Sequence, residues 1–183
     1  MVPMLSLLVT VLIGGQAKPL PFAKETETVL KSLRMPTSAT LEKLCGPSGL
    51  TVNYLDPSNR IDLSYAILPQ LMKANKSIRW SKPTEGDGGM RPAYRNTLRG
   101  FLTEIGANDW SKNTVRAAGM SPTPTYRTLF IQDIAKDFKG VTFIDLNKRD
   151  PKVSEMKEFS KALILGFDRS GKLRVLGYDA WKD

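Results

Sequence analysis

Three consecutive pieces of the chain decide its fold class: Ala162-Leu163-Ile164-Leu165-Gly166-Phe167, then Asp168-Arg169-Ser170-Gly171, then Leu173-Arg174-Val175-Leu176-Gly177-Tyr178. The outer two are apolar runs of strand length. The middle one opens on an aspartate that can bond its own backbone and ends on a glycine free to take positive φ, as a type I turn closed by a bulge requires. A C-terminal β-hairpin over 162–178 is therefore expected. Working outward, Val141 to Leu146 reads as a further apolar strand. Leu50-Thr51-Val52-Asn53-Tyr54-Leu55 alternates as a half-buried strand does, and Asp56-Pro57-Ser58-Asn59 supplies its turn. Ile78-Arg79-Trp80 is a short strand candidate.

Between these lie segments with helical spacing. Val29, Leu30 and Leu33 share one face of a helix that must end before Pro36. Ser38 can cap a second helix carrying Leu41 and Leu44, with Gly46 as its stop. Ile67, Leu68, Leu71 and Met72 mark a third, with Pro69 in its first turn. The spacing of Tyr94, Leu98, Phe101, Leu102 and Ile105 predicts a helix from Pro92 to Gly106. Asn108 to Met120 reads as irregular or as a short helix. Thr123-Pro124 then opens a helix with Tyr126, Phe130, Ile134 and Phe138 on one face, and Asp150-Pro151 opens another through Phe159. The glycine-rich stretch 81–91 reads as a loop that could divide the chain into two sub-structures. The expectation is an α+β fold: a small mixed sheet, several short helices and a C-terminal hairpin, in one domain over 18–183.

Residues 1–17 stand apart. They carry no charged side chain, run apolar from Leu5 to Ile13 except for Ser6 and Thr10, and end Gly15-Gln16-Ala17, with small residues at the −3 and −1 positions that a signal peptidase reads. A signal peptide cleaved after Ala17, and a secreted or periplasmic protein, are expected. The run is too short for a bilayer, which takes about 20 apolar residues, so no transmembrane segment should remain after cleavage.

Composition removes whole classes of chemistry. The 183 residues include no histidine, so neither a Ser-His-Asp nor a Cys-His arrangement can exist, nor an imidazole metal ligand. Cys45 is the only cysteine, which excludes an intramolecular disulfide and a Cys-x-x-Cys site. At the end of its helix it reads as a small buried apolar residue. No metal or cofactor is expected. Carboxylates are the acid/base groups that remain, and Asp145, inside the apolar Phe143-Ile144-Asp145-Leu146, is the one least explained by local structure. A polar outer strand face would account for it; a carboxylate-dependent hydrolase is the catalytic alternative, although no spacing singles out a pair.

The C-terminal order of helix 124–139, strand 141–146, helix 151–159 and hairpin 162–178 resembles the second half of a thioredoxin-like domain. Where that family carries its cysteine pair, this chain reads Thr123-Pro124-Thr125-Tyr126, and Ser160-Lys161 stands where its cis-proline would be. No strand is evident over Asn113 to Ser121, ahead of the helix. The resemblance thus implies a redox-inactive domain over 120–183. Ala117-Ala118-Gly119-Met120-Ser121 followed by Tyr126-Arg127 resembles the turn and second helix of bacterial helix-turn-helix repressors, but Pro122 and Pro124 interrupt that helix and an export signal would take the chain away from DNA. Sequence-specific nucleic-acid binding is not expected.

The charge is +9, from 27 Lys and Arg against 18 Asp and Glu. Nine basic and four acidic residues lie between Lys73 and Arg116, so this segment supplies +5 of it. Arg91, Arg95 and Arg99 recur every four residues, which on a helix from Pro92 would make one solvent-facing ridge. Guanidinium groups so placed suit phosphate, sulfate or carboxylate, and Arg79-Trp80 offers a stacking platform beside them. The functional expectation is a non-catalytic exported protein that binds an anionic ligand, polymer or envelope surface through Arg79, Trp80, Arg91, Arg95 and Arg99.

Overall fold

The computed structural model describes residues 20–54, 60–80, 84–86, 89–91, 93–111, 114–118, 136–148 and 161–180. Among these residues four α-helices and ten strands follow in chain order as α1 (Ala23–Arg34), α2 (Ser38–Cys45), β1 (Leu50–Tyr54), β2 (Arg60–Leu63), α3 (Leu68–Lys73), β3 (Ile78–Arg79), β4 (Thr84–Gly86), β5 (Gly89–Arg91), β6 (Arg95–Asn96), α4 (Leu98–Gly106), β7 (Thr114–Ala118), β8 (Thr142–Lys148), β9 (Lys161–Phe167) and β10 (Leu173–Ala180). Six strands form one mixed sheet in the order β2-β1-β10-β9-β8-β7. Every neighbouring pair is antiparallel except β1 and β10, which run parallel. This is the expected α+β class. Among the described residues no helix is long and apolar enough to cross a membrane.

The hairpin forms as its turn residues require. Gly171 takes φ 77°, its N–H bonds Asp168 O at 2.9 Å, and the β9–β10 register shifts between Leu173 and Val175. Helix α1 ends just before Pro36, and α2 stops at Gly46. The cap of α2 is Thr37 rather than Ser38: Thr37 and Thr40 exchange side-chain and backbone bonds in a capping box.

Period-two alternation divides the sheet into two faces. Leu50, Val52 and Tyr54 of β1, Ile144 and Leu146 of β8, Leu163, Leu165 and Phe167 of β9, and Leu176 and Tyr178 of β10 join the main core with the helices. Val29 and Leu33 of α1, Leu68 and Met72 of α3, and Phe101 and Ile105 of α4 meet them there. Helices α1 and α4 approach so closely that a Cβ on Gly106 would lie 2.0 Å from Leu33 O, so only glycine fits that crossing. Phe143, Ile164 and Val175 form a smaller apolar cluster on the other face.

Four expectations need correction. The helix predicted from Pro92 begins at Leu98, because the backbone of Tyr94 and Asn96 is already committed to β3: Trp80 N–H bonds Tyr94 O at 2.9 Å, and Trp80 Nε1 bonds Asn96 O at 3.0 Å. Thr97 then caps α4 through Oγ1, which accepts from Gly100 N–H at 3.0 Å. Second, the stretch read as a loop contains the β4–β5 hairpin, Thr84 opposite Arg91. Third, β7 occupies Thr114–Ala118, where no strand was evident, so Ala117 and Ala118 are not the helix end that a helix-turn-helix needs. Fourth, β7 pairs antiparallel with β8, and β8 rather than β7 adjoins β9. A strand–helix–strand crossover of the thioredoxin-like kind would run the two strands parallel. The signal peptide expected over 1–17, the turn over 56–59, the helix expected over 151–159 and all but the last four residues of the helix expected over 124–139 lie outside the described residues; of those four, 136–137 are helical.

Candidate anion-binding site

Strands β3 and β6 form a two-stranded ribbon on the flank of α4, with Ile78 opposite Asn96 and Arg79 opposite Arg95. Alternation gives the ribbon two unlike faces. Inward, Trp80 is fully buried and stacks on Phe101, ring centroids 4.3 Å apart, while Tyr94 stacks on Tyr54 at 4.7 Å. The Tyr94 hydroxyl donates to the Glu104 carboxylate, and burial, then that bond, pushes the phenol well above its ordinary pKa. Outward, Arg79 and Arg95 are both exposed. The bond from Trp80 N–H to Tyr94 O makes the 80/94 pair hydrogen-bonded, so the adjoining 79/95 pair is of the non-hydrogen-bonded kind, where opposed Cα atoms sit about 4.5 Å apart and side chains lie closest.

Like charges placed directly opposite one another on paired strands, as Arg79 and Arg95 are, repel, at a cost on the order of a few tenths of a kcal/mol. Among the described residues neither is ion-paired, and the same holds for Arg99. Arg99 is exposed in the first turn of α4, a turn without an acidic residue. Its position four residues beyond Arg95 carries it from the end of the ribbon onto the helix.

The structure therefore unites Arg79 with Arg95, sets Arg99 just beyond them, and dissolves the expected helical ridge. Arg91 belongs to the separate β4–β5 hairpin. Trp80 is no stacking platform, since its ring faces the core and its indole N–H is spent on Asn96 O. Sequence spacing missed the Arg79–Arg95 juxtaposition because the partners are sixteen positions apart. The signal that could have found it is the mirrored order Arg79-Trp80 and Tyr94-Arg95, an aromatic inward and an arginine outward on each strand.

The other candidate groups separate cleanly. Cys45 is buried, and desolvation, only partly offset by Arg174 and Lys172, pushes its thiol up to about 12, so thiolate chemistry near neutrality is suppressed. Asp145 does not lie on a solvated outer face: it is fully buried on the second sheet face, with Asn147 two residues along β8 and Asn53 in the same cross-strand row. Asn53 is three strand spacings away, about 14 Å. No carboxylate stands opposite Asp145 on either neighbouring strand; its partners in register are Ile164 and Ala117. Asp179 is two strands away on β10, and Asp168 sits in the hairpin turn. Asp150 lies outside the described residues. Among those residues no group of three His, Cys, Asp or Glu could hold a metal ion.

Neither protein-family models, nor curated proteins, nor solved structures gave a match to this chain.

Proposed function

We propose that the protein is an exported, non-catalytic binding protein whose contact surface for an anionic polymer or envelope surface centres on Arg79 and Arg95, with Arg99 at its edge. The observation that carries this reading is the direct opposition of two exposed arginines across β3 and β6 with no ion-pair partner among the described residues. An oxyanion between them turns a repulsive pair into two charge-assisted contacts. The +5 balance of the surrounding segment adds long-range attraction. Export rests on the uncharged, apolar leader and its Gly15-Gln16-Ala17 terminus.

Retention on a heparin column tests the binding role. The R79E/R95E double variant should elute at markedly lower salt than the parent, and the parent's affinity should fall steeply with ionic strength, by about one unit of log-log slope per charge contact. Unchanged retention of the double variant would remove the proposal. N-terminal sequencing of the native protein tests export: a mature chain beginning at Lys18 is expected, and an intact Met1 would contradict it.

A further inference from the structure

We infer that a groove between α1, α2 and the β9–β10 turn is a second binding site, one for a small amphipathic anion. The groove encloses about 300 Å³, at the lower end of the range of about 300–1,000 Å³ that small-molecule sites occupy. The apolar surface it offers as a floor is that of half-buried Leu44, which lies over the fully covered core residues Val29, Phe167 and Leu173. Its rim carries three ammonium groups, Lys24, Lys43 and Lys172, against the single carboxylate of Glu25.

Lys172 is anchored to the end of α2. Its Nζ donates to Lys43 O at 3.0 Å, which fixes the ammonium at the C-terminal end of α2 and leaves its other two N–H groups to donate elsewhere. Along α1 the hydroxyls of Thr28 and Ser32 each donate 2.8 Å bonds to the carbonyl four residues back, Lys24 O and Thr28 O, so toward a ligand they can only accept. The Thr40 and Ser170 hydroxyls are likewise spent, on Thr37 O and Asp168 Oδ1, so the side-chain donors to an acidic head are the lysines. An apolar body on the floor and a carboxylate or phosphate head at Lys43 and Lys172 satisfy this arrangement. A polyanion does not, having no apolar body to cover the floor, so the groove is distinct from the Arg79–Arg95 surface in ligand class as well as in place.

The test uses octanoate and its neutral isostere octanamide, titrated into the full chain and followed by methyl and amide NMR. Octanoate should shift the Leu44 methyl signals and the Lys172 amide saturably, and octanamide should bind about tenfold more weakly, as loss of a charge-assisted bond implies. K43Q, altering an exposed side chain, and K172Q should each weaken octanoate severalfold. R79T/R95T should leave octanoate binding unchanged. Equal affinity for octanoate and octanamide, no saturable shift at these residues, or loss of octanoate binding in R79T/R95T would each overturn the assignment.

Discussion

Lys148 and Lys161 face each other across β8 and β9 much as Arg79 and Arg95 face each other across β6 and β3. The lysines are half-buried and answered: Lys148 Nζ donates to Asp109 O at 2.8 Å, and Lys161 Nζ to Asn108 Oδ1 at 2.6 Å. Asn108 in turn caps α4, its Nδ2 bonding Glu104 O at 2.9 Å and Ile105 O at 3.2 Å. The segment that follows α4 thus presents two oxygens, the Asp109 carbonyl and the Asn108 side-chain amide, to two cations that would otherwise repel, close to the negative end of the helix dipole. The arginines sit near the opposite end of the same helix, where the dipole is positive and cannot answer them. One like-charge pair is structural, and the other has its donors left over.

The sharpest way to break this comparison is Asn108→Ala. It removes the acceptor of Lys161 and the cap of α4 together, and should cost about 1–3 kcal/mol in urea unfolding; a loss within error would mean that the lysines need no partner. Lys161→Met keeps the stem and deletes the charge, and should cost about 1 kcal/mol by the same measurement. A third arrangement calibrates these two. Arg174 lies 3.9 Å from the Asp168 carboxylate, which also accepts from Ser170 Oγ and from the N–H groups of Lys172 and Ser170. Partial burial alone would raise the Asp168 pKa, but these bonds and the guanidinium hold it below the usual carboxylate value. A depressed folded-state pKa contributes stability above the unfolded value and loses it as pH falls through the folded one. Asp168→Asn should therefore cost about 0.5–1 kcal/mol at neutral pH, with the difference fading below about pH 4. The smallest effect has the opposite sign: Arg79→Thr should leave stability unchanged or raise it by a few tenths of a kcal/mol, while lowering heparin retention. Clear destabilisation by Arg79→Thr would show that the arginines, too, are structural.

Residues whose pattern matches the local period were legible in the sequence. Val29, Leu30 and Leu33 declared α1, and Asp168 to Gly171 declared the hairpin, because backbone demands and side-chain chemistry coincide there. Arg91, Arg95 and Arg99 misled because a spacing of four does not by itself make a helix. The hydrogen bonds that hold Tyr94 and Asn96 to β3 are tertiary, and they push the helix start to Leu98. Asp145 misled in another way: alternation distinguishes two faces without saying that both are buried. Strand β7 escaped notice because Thr114-Val115-Arg116-Ala117-Ala118 has weak intrinsic preference and owes its conformation to β8.

The parallel pairing of β1 with β10 also sets the order in which the protein can mature. Thr51 meets Val175, roughly 120 residues downstream, so the seam joining the two parts of the sheet closes late, after a large loop entropy has been spent. Until β10 leaves the ribosome, the main-chain groups of β1 on that side lack their partner strand. β1 can pair with β2 and pack Tyr54 on Tyr94 before then, but its β10 edge closes only through this long-range contact, the kind that slows folding.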